Sequence, residues 1–201
     1  MTQTKYDEAI RQAAVLLLEA HYVVGLTGAG ISVESGIPPF RGPGGLWTKY
    51  GEPPMNGYEI FLQNPQKAWE ERLSPSGPSK IMQETVRQAQ PNPGHYALVA
   101  LEAMGLLRHL ITQNIDNLHR HAGSRNLAEI HGNSTLVRCI RCIARYPFGE
   151  VLFDRLPPTC PQCGSILKTD TVAFGEPIPA DVLEVCYRET QCCDCMLVAG
   201  T

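Results

Sequence analysis

Two cysteine pairs, Cys139-Ile-Arg-Cys142 and Cys160-Pro-Gln-Cys163, constrain this chain more than any other feature. Their separation falls in the window of about 15–20 residues expected of two zinc knuckles. Each Cys-x-x-Cys turn aims two thiolates at one centre, and two such turns complete a tetrahedral zinc site. Residues near 139 and near 163 must therefore meet in space. The stretch 135–168, with short strand-like runs and Pro157-Pro158, is expected to form a small zinc-binding module inserted in a larger domain. Four thiolates saturate zinc and leave no open position for water, so the metal is expected to be structural. Cys186, Cys192, Cys193 and Cys195 lack the knuckle spacing and read as buried free thiols.

The larger domain shows an α/β texture. Ile10, Ala13, Ala14, Leu17 and Leu18 recur at helical spacing, which predicts an amphipathic helix over 5–20. Val23–Thr27 is a short β-branched run, the pattern of a buried strand, and it leads directly into Gly28-Ala29-Gly30. A strand feeding a glycine turn is how doubly wound sheets begin a nucleotide site. Residues 38–90, rich in Pro and Gly, read as a flexible loop and helical insertion. Asn92-Pro93 opens the next helix and Gly105 stops it, with a strand expected at Leu106–Thr112. Thr171–Phe174 returns to the main body, and Cys195–Ala199 reads as a last core strand. The expected fold is a doubly wound, Rossmann-like parallel sheet assembled from 1–37, 91–134 and 169–201. A core strand ending in the turn Gly200-Thr201 normally feeds another element, so the chain is expected to be a C-terminally incomplete fragment.

The net charge of −3 offers no general affinity for nucleic acid or anionic membrane. No apolar run is long enough to span a bilayer, and Met1–Ala20 does not read as a secretion signal. Eight cysteines in such a chain suit a reducing compartment, and a cytoplasmic protein is expected. Gly28-x-Gly30 lacks the third glycine of the dinucleotide fingerprint, since Val33 stands there, and no acidic residue follows about 20 residues on. A hydride-transferring dehydrogenase is disfavoured on these grounds.

The full run Gly28-Ala29-Gly30-Ile31-Ser32-Val33-Glu34-Ser35-Gly36-Ile37-Pro38-Pro39-Phe40-Arg41-Gly42 closely resembles the signature of the sirtuins, NAD-dependent protein deacylases. Three further blocks agree in order: Thr112–His119, His131-Gly132-Asn133, and Phe174-Gly175-Glu176. The resemblance implies that Gly28, Ala29, Gly30, Ser32, Ile37, Phe40 and Arg41 lie along NAD, with Phe40 shielding the reacting ribose. It implies that Gln113 contacts ribose, that Asn114, Ile115 and Asp116 form the nicotinamide pocket, and that Gly200 and Thr201 complete the cofactor site. His131, with Asn114 and Asp116, would be catalytic. An imidazole near neutral pKa can take the proton of a ribose hydroxyl. Val172, Phe174, Gly175 and Glu176 would pair with an extended acyl-lysine peptide as an added strand. The products would be free lysine, nicotinamide and an O-acyl-ADP-ribose. Family members that prefer acidic acyl groups carry Tyr-x-x-Arg in the helical insertion; Glu70-Glu71-Arg72-Leu73-Ser74-Pro75 lacks it, which favours a neutral acyl group.

Other readings stand beside these. His131 could be structural, His119 and His121 surface or packing residues, and Phe40 a core anchor. Asp116 could be the N-cap of a helix over Asn117–Ala122. Mono-ADP-ribosyl transfer is a neighbouring reaction, and a truncated, inactive NAD- and zinc-binding fragment is the alternative outside catalysis.

Overall fold

A computed structural model describes residues 3–201. Helix α1 (Gln3–Glu19) comes first, and it is tethered chiefly by its C-terminal end. Leu17 and Ala20 pack on the core, whereas Ile10 and Leu18 are about two-thirds exposed. The helical period is therefore present, but only part of the apolar stripe is covered. Strand β1 (Val23–Thr27) follows and leads into a 3-10 turn over Ala29–Ser35.

Four helices then occupy the stretch expected to be an insertion: α2 (Leu46–Tyr50), α3 (Gly57–Gln63), α4 (Pro65–Leu73) and α5 (Gly77–Gln88). Pro65 and Pro78 each fall in a first turn, where the missing N–H costs nothing. Helix α6 (Pro93–Ala103) has a reciprocal N-terminal cap. Asn92 Oδ1 accepts from Gly94 N at 2.9 Å, and His95 Nδ1 accepts from Asn92 N at 3.3 Å. Gly105, at φ 74°, supplies the left-handed residue beyond the helix end.

Strand β2 (Leu107–Thr112), helix α7 (Leu118–Ala122) and strand β3 (Leu127–Glu129) complete the first half of the main sheet. The chain then runs through β4 (Gly132–Cys139), β5 (Arg145–Pro147), a 3-10 turn at Phe148–Glu150 and β6 (Leu167–Thr171). Helix α8 (Ala180–Cys192) and strand β7 (Cys195–Ala199) bring it back.

The main sheet is parallel, in the order β3-β2-β1-β7. Alternation along β1 explains why both faces must be covered. Val23 joins Leu98, Leu107 and Leu110 on the α6 side, and Val24 joins Ile111, Ala128 and Cys186 on the α8 side. The second sheet is antiparallel, in the order β5-β4-β6. Its core gathers Trp69, Val137, Cys139, Cys160 and Leu167, so the helical insertion packs on the cysteine-bearing sheet through Trp69. The indole Nε1 donates to Leu167 O at 2.7 Å, which satisfies the one polar atom of a side chain only 2% exposed.

Among the described residues, no helix is long and apolar enough to cross a membrane. Of the four cysteines outside the knuckles, Cys186 is buried as expected, whereas Cys192 is exposed and Cys193 and Cys195 are half-buried. Gln191 and Cys192 close α8 on its exposed side, while Glu189 in the same turn is buried.

Candidate active site

The carboxyl ends of β1, β2 and β7 meet at the glycine loop, where parallel sheets place their ligands. The loop is stitched to the end of β7: Gly28 N donates to Ala199 O at 3.2 Å and Gly30 N to Gly200 O at 2.8 Å. The approach leaves no room for side chains. A Cβ on Gly28 would stand 2.7 Å from Gly200 O, and one on Gly30 2.8 Å from Gly200 Cα. Thr201 lies against Gly28 in the same place. Ala29, as the first residue of the 3-10 turn, keeps an N–H with no partner inside that turn. That N–H, on a backbone kept bare of side chains by Gly28 and Gly30, suits a pyrophosphate oxygen.

Behind the loop lies a buried polar chain. Asn114 Nδ2 donates to Gly28 O at 3.0 Å and to Ser32 Oγ at 3.1 Å. Ser32 Oγ donates in turn to Asp116 Oδ2 at 2.7 Å, and Asp116 Oδ1 accepts from Leu118 N at 2.9 Å. Ser32, Asn114 and Asp116 are all buried. The N-cap of α7 is Asn117 and not Asp116; Asp116, one residue earlier, accepts from the first helical amide with one oxygen while the other turns toward the loop. Ile37 is buried next to Leu118, and Ile115 O is held by Ser134 N.

Gln113 links this cluster to His131. Its N–H donates to Thr27 O, and its carbonyl lies 3.0 Å from His131 Nδ1. A carbonyl only accepts, so Nδ1 carries the proton and Nε2 bears the lone pair. Half-buried His131 is therefore oriented as a base through Nε2. Gly132, next to it, has φ 79°, and a Cβ there would fall 1.5 Å from Asp170 O. Glycine alone fits that position.

Sequence reasoning missed a second buried set under the glycine loop. His119 Nε2 lies 2.9 Å from Thr27 Oγ1, which donates to Thr112 Oγ1 at 2.9 Å, so His119 is the donor to Thr27. His95 packs beside it, with ring centroids 4.8 Å apart. Burial, with His95 as a second cause, pushes the His119 imidazole down to about 4; burial also lowers His95. His119 is thus a packing residue that stays neutral. No local pattern marks such a set, because the four residues come from four separate elements.

The stretch Val172–Glu176 lies between the two sheets and the insertion. Val172 N donates to His131 O at 2.8 Å, and Tyr58 N donates to Phe174 O at 2.9 Å. Phe174 packs against Trp47, which also meets Phe40, with centroids 5.9 and 5.0 Å apart. Arg41 stacks over the Trp47 ring at 4.5 Å and pairs with Glu52. Trp47, absent from the sequence-derived set, therefore bridges the glycine-loop extension and the substrate-side loop. Arg72 donates to Gln83 Oε1 and Ser134 O and lies over Phe148.

The four knuckle cysteines converge as their spacing requires, with all four Sγ atoms within 4.8 Å of one another. Cys139 and Cys163 are 3.5 Å apart, and Cys142 and Cys160 are 3.6 Å apart. A tetrahedron of sulfurs around zinc has edges of roughly 3.8 Å, so the set fits one ion. The amides of Arg141 and Cys142 point at Cys139 Sγ, and the Tyr146 hydroxyl lies 3.3 Å from Cys160 Sγ. Such contacts stabilise thiolate charge.

Comparison with known proteins agrees with this geometry. Residues 28–201 match the Sir2 family. The NAD-dependent protein deacylase of Pyrococcus abyssi is 44% identical over 198 residues, covering 96% of this chain and 76% of that protein. NAD-dependent protein deacylase 1 of Archaeoglobus fulgidus is 42% identical, covering 92% of this chain and 73% of its own length. A crystal structure of a Sir2 homologue in complex with NAD superposes with a TM-score of 0.74 at 40% identity, over 95% of this chain and 72% of that one. A Sir2 complex with p53 peptide and NAD gives 0.74 at 35% identity, over 96% and 75%. With residues 28–201 matching the family model and the two deacylases more than 40% identical over nearly all of its length, this chain belongs to the Sir2 family.

Proposed function

We propose that the protein is an NAD-dependent protein-lysine deacylase, which moves a neutral acyl group from lysine to ADP-ribose and releases nicotinamide. The observation that carries this reading is the fixed tautomer of His131. Its Nδ1–H is committed to Gln113 O, and Nε2 is left free to take a ribose hydroxyl proton.

In this reading Ala29 N receives the pyrophosphate, Gly28 and Gly30 keep the loop bare of side chains, and Gly200 and Thr201 lie at the same edge. Asn114, Ile115 and Asp116, with Ser32 and Ile37 behind them, hold the carboxamide end. Phe40 and Arg41, braced by Trp47, cover the ribose and exclude water. Val172, Phe174 and Gly175 take the acyl-lysine peptide as an added strand, with Glu176 closing the end of their loop. Bound zinc holds the inserted module together through Cys139, Cys142, Cys160 and Cys163 and stays out of the chemistry.

The corresponding division of the chain is a nucleotide-binding body of 1–37, 91–134 and 169–201, an insertion of 38–90, and a zinc module of 135–168. A cytoplasmic enzyme acting on protein, with no nucleic-acid or membrane partner, suits the net charge of −3 and the eight free thiols.

The test is nicotinamide release from NAD with an acetyl-lysine peptide, for the wild type and for His131→Ala. We expect peptide-dependent release that falls by at least 100-fold in the variant. Release that ignores the peptide, or is insensitive to His131, sinks the reading. Mass spectrometry of the products separates O-acetyl-ADP-ribose from ADP-ribosylated protein.

A further inference from the structure

The interface between the second sheet and the substrate-side loop holds a set of buried charges that the proposed chemistry does not use. Arg138, in β4, donates from Nε to Asp170 Oδ1 at 2.8 Å and from Nη2 to Glu176 Oε1 at 2.7 Å. Lys168, in β6, places Nζ 3.0 Å from Glu176 Oε2 and also donates to the carbonyls of Thr169 and Thr171. Arg145 engages the second oxygen of Asp170 at 3.0 Å and reaches Asp181 at the start of α8. The side chains of Arg138, Lys168, Asp170 and Glu176 are each no more than 6% exposed. Three cations face three carboxylates, so the set is neutral as a whole.

Buried ion pairs seldom add much stability over apolar packing of the same volume, because desolvating each charge offsets the attraction. What they fix is geometry. Glu176 has no oxygen to spare for a substrate: Oε2 also accepts from Ala173 N at 2.9 Å, closing the loop on itself. One residue before Ala173, Val172 N is bonded to His131 O, and Thr171 pairs with Gly132. The charge set therefore grips the loop at its far end while the histidine backbone holds its near end.

The geometry points to Arg138, Lys168 and Glu176 as positioning residues for the acyl-lysine peptide. They hold the turn Ala173–Glu176, and with it the backbone of Val172 and Ala173 just past the end of β6, in place beside the histidine, and touch neither substrate nor NAD. The role in turnover rests on the deacylase reading; the role in holding the loop does not.

Two measurements on Glu176→Gln and Lys168→Met test this. Glu176→Gln is isosteric and keeps an acceptor for Ala173 N–H while losing its charge, so it perturbs the fold least. In steady-state deacetylation, both variants should raise KM for the acetyl-lysine peptide about tenfold. KM for NAD should stay within twofold, and kcat should fall less than KM rises. In amide hydrogen exchange, Val172 and Ala173 should exchange at least tenfold faster than in the wild type, with the amides of β1 and β2 unchanged. A folded variant that is less heat-stable but keeps wild-type peptide KM and wild-type exchange at Val172 and Ala173 overturns the proposal. Equal rises in both KM values overturn it as well, since a general loosening of the fold predicts that. If the wild type itself turns over no acetyl-lysine peptide, the deacylase reading fails. The exchange rates then decide alone, and unchanged protection in Glu176→Gln ends the positioning role.

Discussion

Gly30 donates its N–H to the carbonyl of Gly200 at 2.8 Å, and the two residues approach so closely that neither could carry a side chain without backbone movement. Gly30 is thus fixed by a neighbour and not by its own dihedral angles, whereas Gly36, at φ 88°, is fixed by its dihedral angle with open space around it. Gly36→Ala should cost about 1 kcal/mol, the penalty of a left-handed alanine. Gly30→Ala should cost more, on the order of 2–3 kcal/mol, and should weaken NAD binding as well. Urea unfolding and NAD titration of the two variants check this ordering.

Ser32 stands between Asn114 and Asp116, accepting from one and donating to the other. Ser32→Ala strips both of a buried partner. We expect a loss of roughly 1–3 kcal/mol in stability and a weaker grip on the nicotinamide end of NAD. An unfolding midpoint equal to that of the wild type would show that water replaces the hydroxyl without cost.

His119 gives the protein an acid sensitivity with a definite window. Its folded value is about 4, against an ordinary value near 6.5, so between those limits the unfolded chain binds the extra proton. Stability should be full above about pH 6.5 and decline as pH falls toward 4, by at most about 3 kcal/mol from this group, with His95 adding in the same direction. His119→Gln keeps a donor for Thr27 but cannot take up the proton. Urea unfolding at pH 4.5 and 7 should show a smaller pH dependence in the variant; equal slopes would falsify the assignment.

Zinc should be found at one ion per chain and be lost in Cys160→Ser. A structural zinc site contributes folding free energy directly, on the order of 10 kcal/mol in isolated modules. Chelation should therefore disorder β4–β6 and abolish peptide-dependent turnover, while the parallel sheet keeps its protected amides. Retained turnover after complete zinc removal would contradict a structural role.

Features written in consecutive residues were legible in the sequence. β1 is found where its β-branched run lies, and Asn92, Pro93 and Gly105 bracket α6 as expected. The cysteine knuckles converge because two short turns and one spacing dictate it. Features assembled across the chain were not legible. Arg138, Lys168 and Asp170 follow no local pattern and are brought together by the β4–β6 register, and Glu176, read from the sequence as a substrate-side residue, joins them from the loop beyond β6. His119 could be read as surface or packing until β1, β2 and α6 closed over it. The insertion was legible in part: a loop with helix was expected and α3 and α4 are found, while α2 and α5 were hidden by Pro and Gly residues that lie in first turns or between helices, where they permit helix.

Trp69 is sealed between the insertion and the second sheet, and its indole is bonded to Leu167, which pairs with Cys139 across β4 and β6. The only other tryptophan, Trp47, sits in the bridge between Phe40 and Phe174. The protein thereby carries two natural optical reporters with separate assignments. Emission from Trp69 should follow the integrity of the cysteine-bearing module, and emission from Trp47 should follow any change in the Phe40–Trp47–Phe174 contacts. Single replacement of either by phenylalanine would let each event be watched without a label.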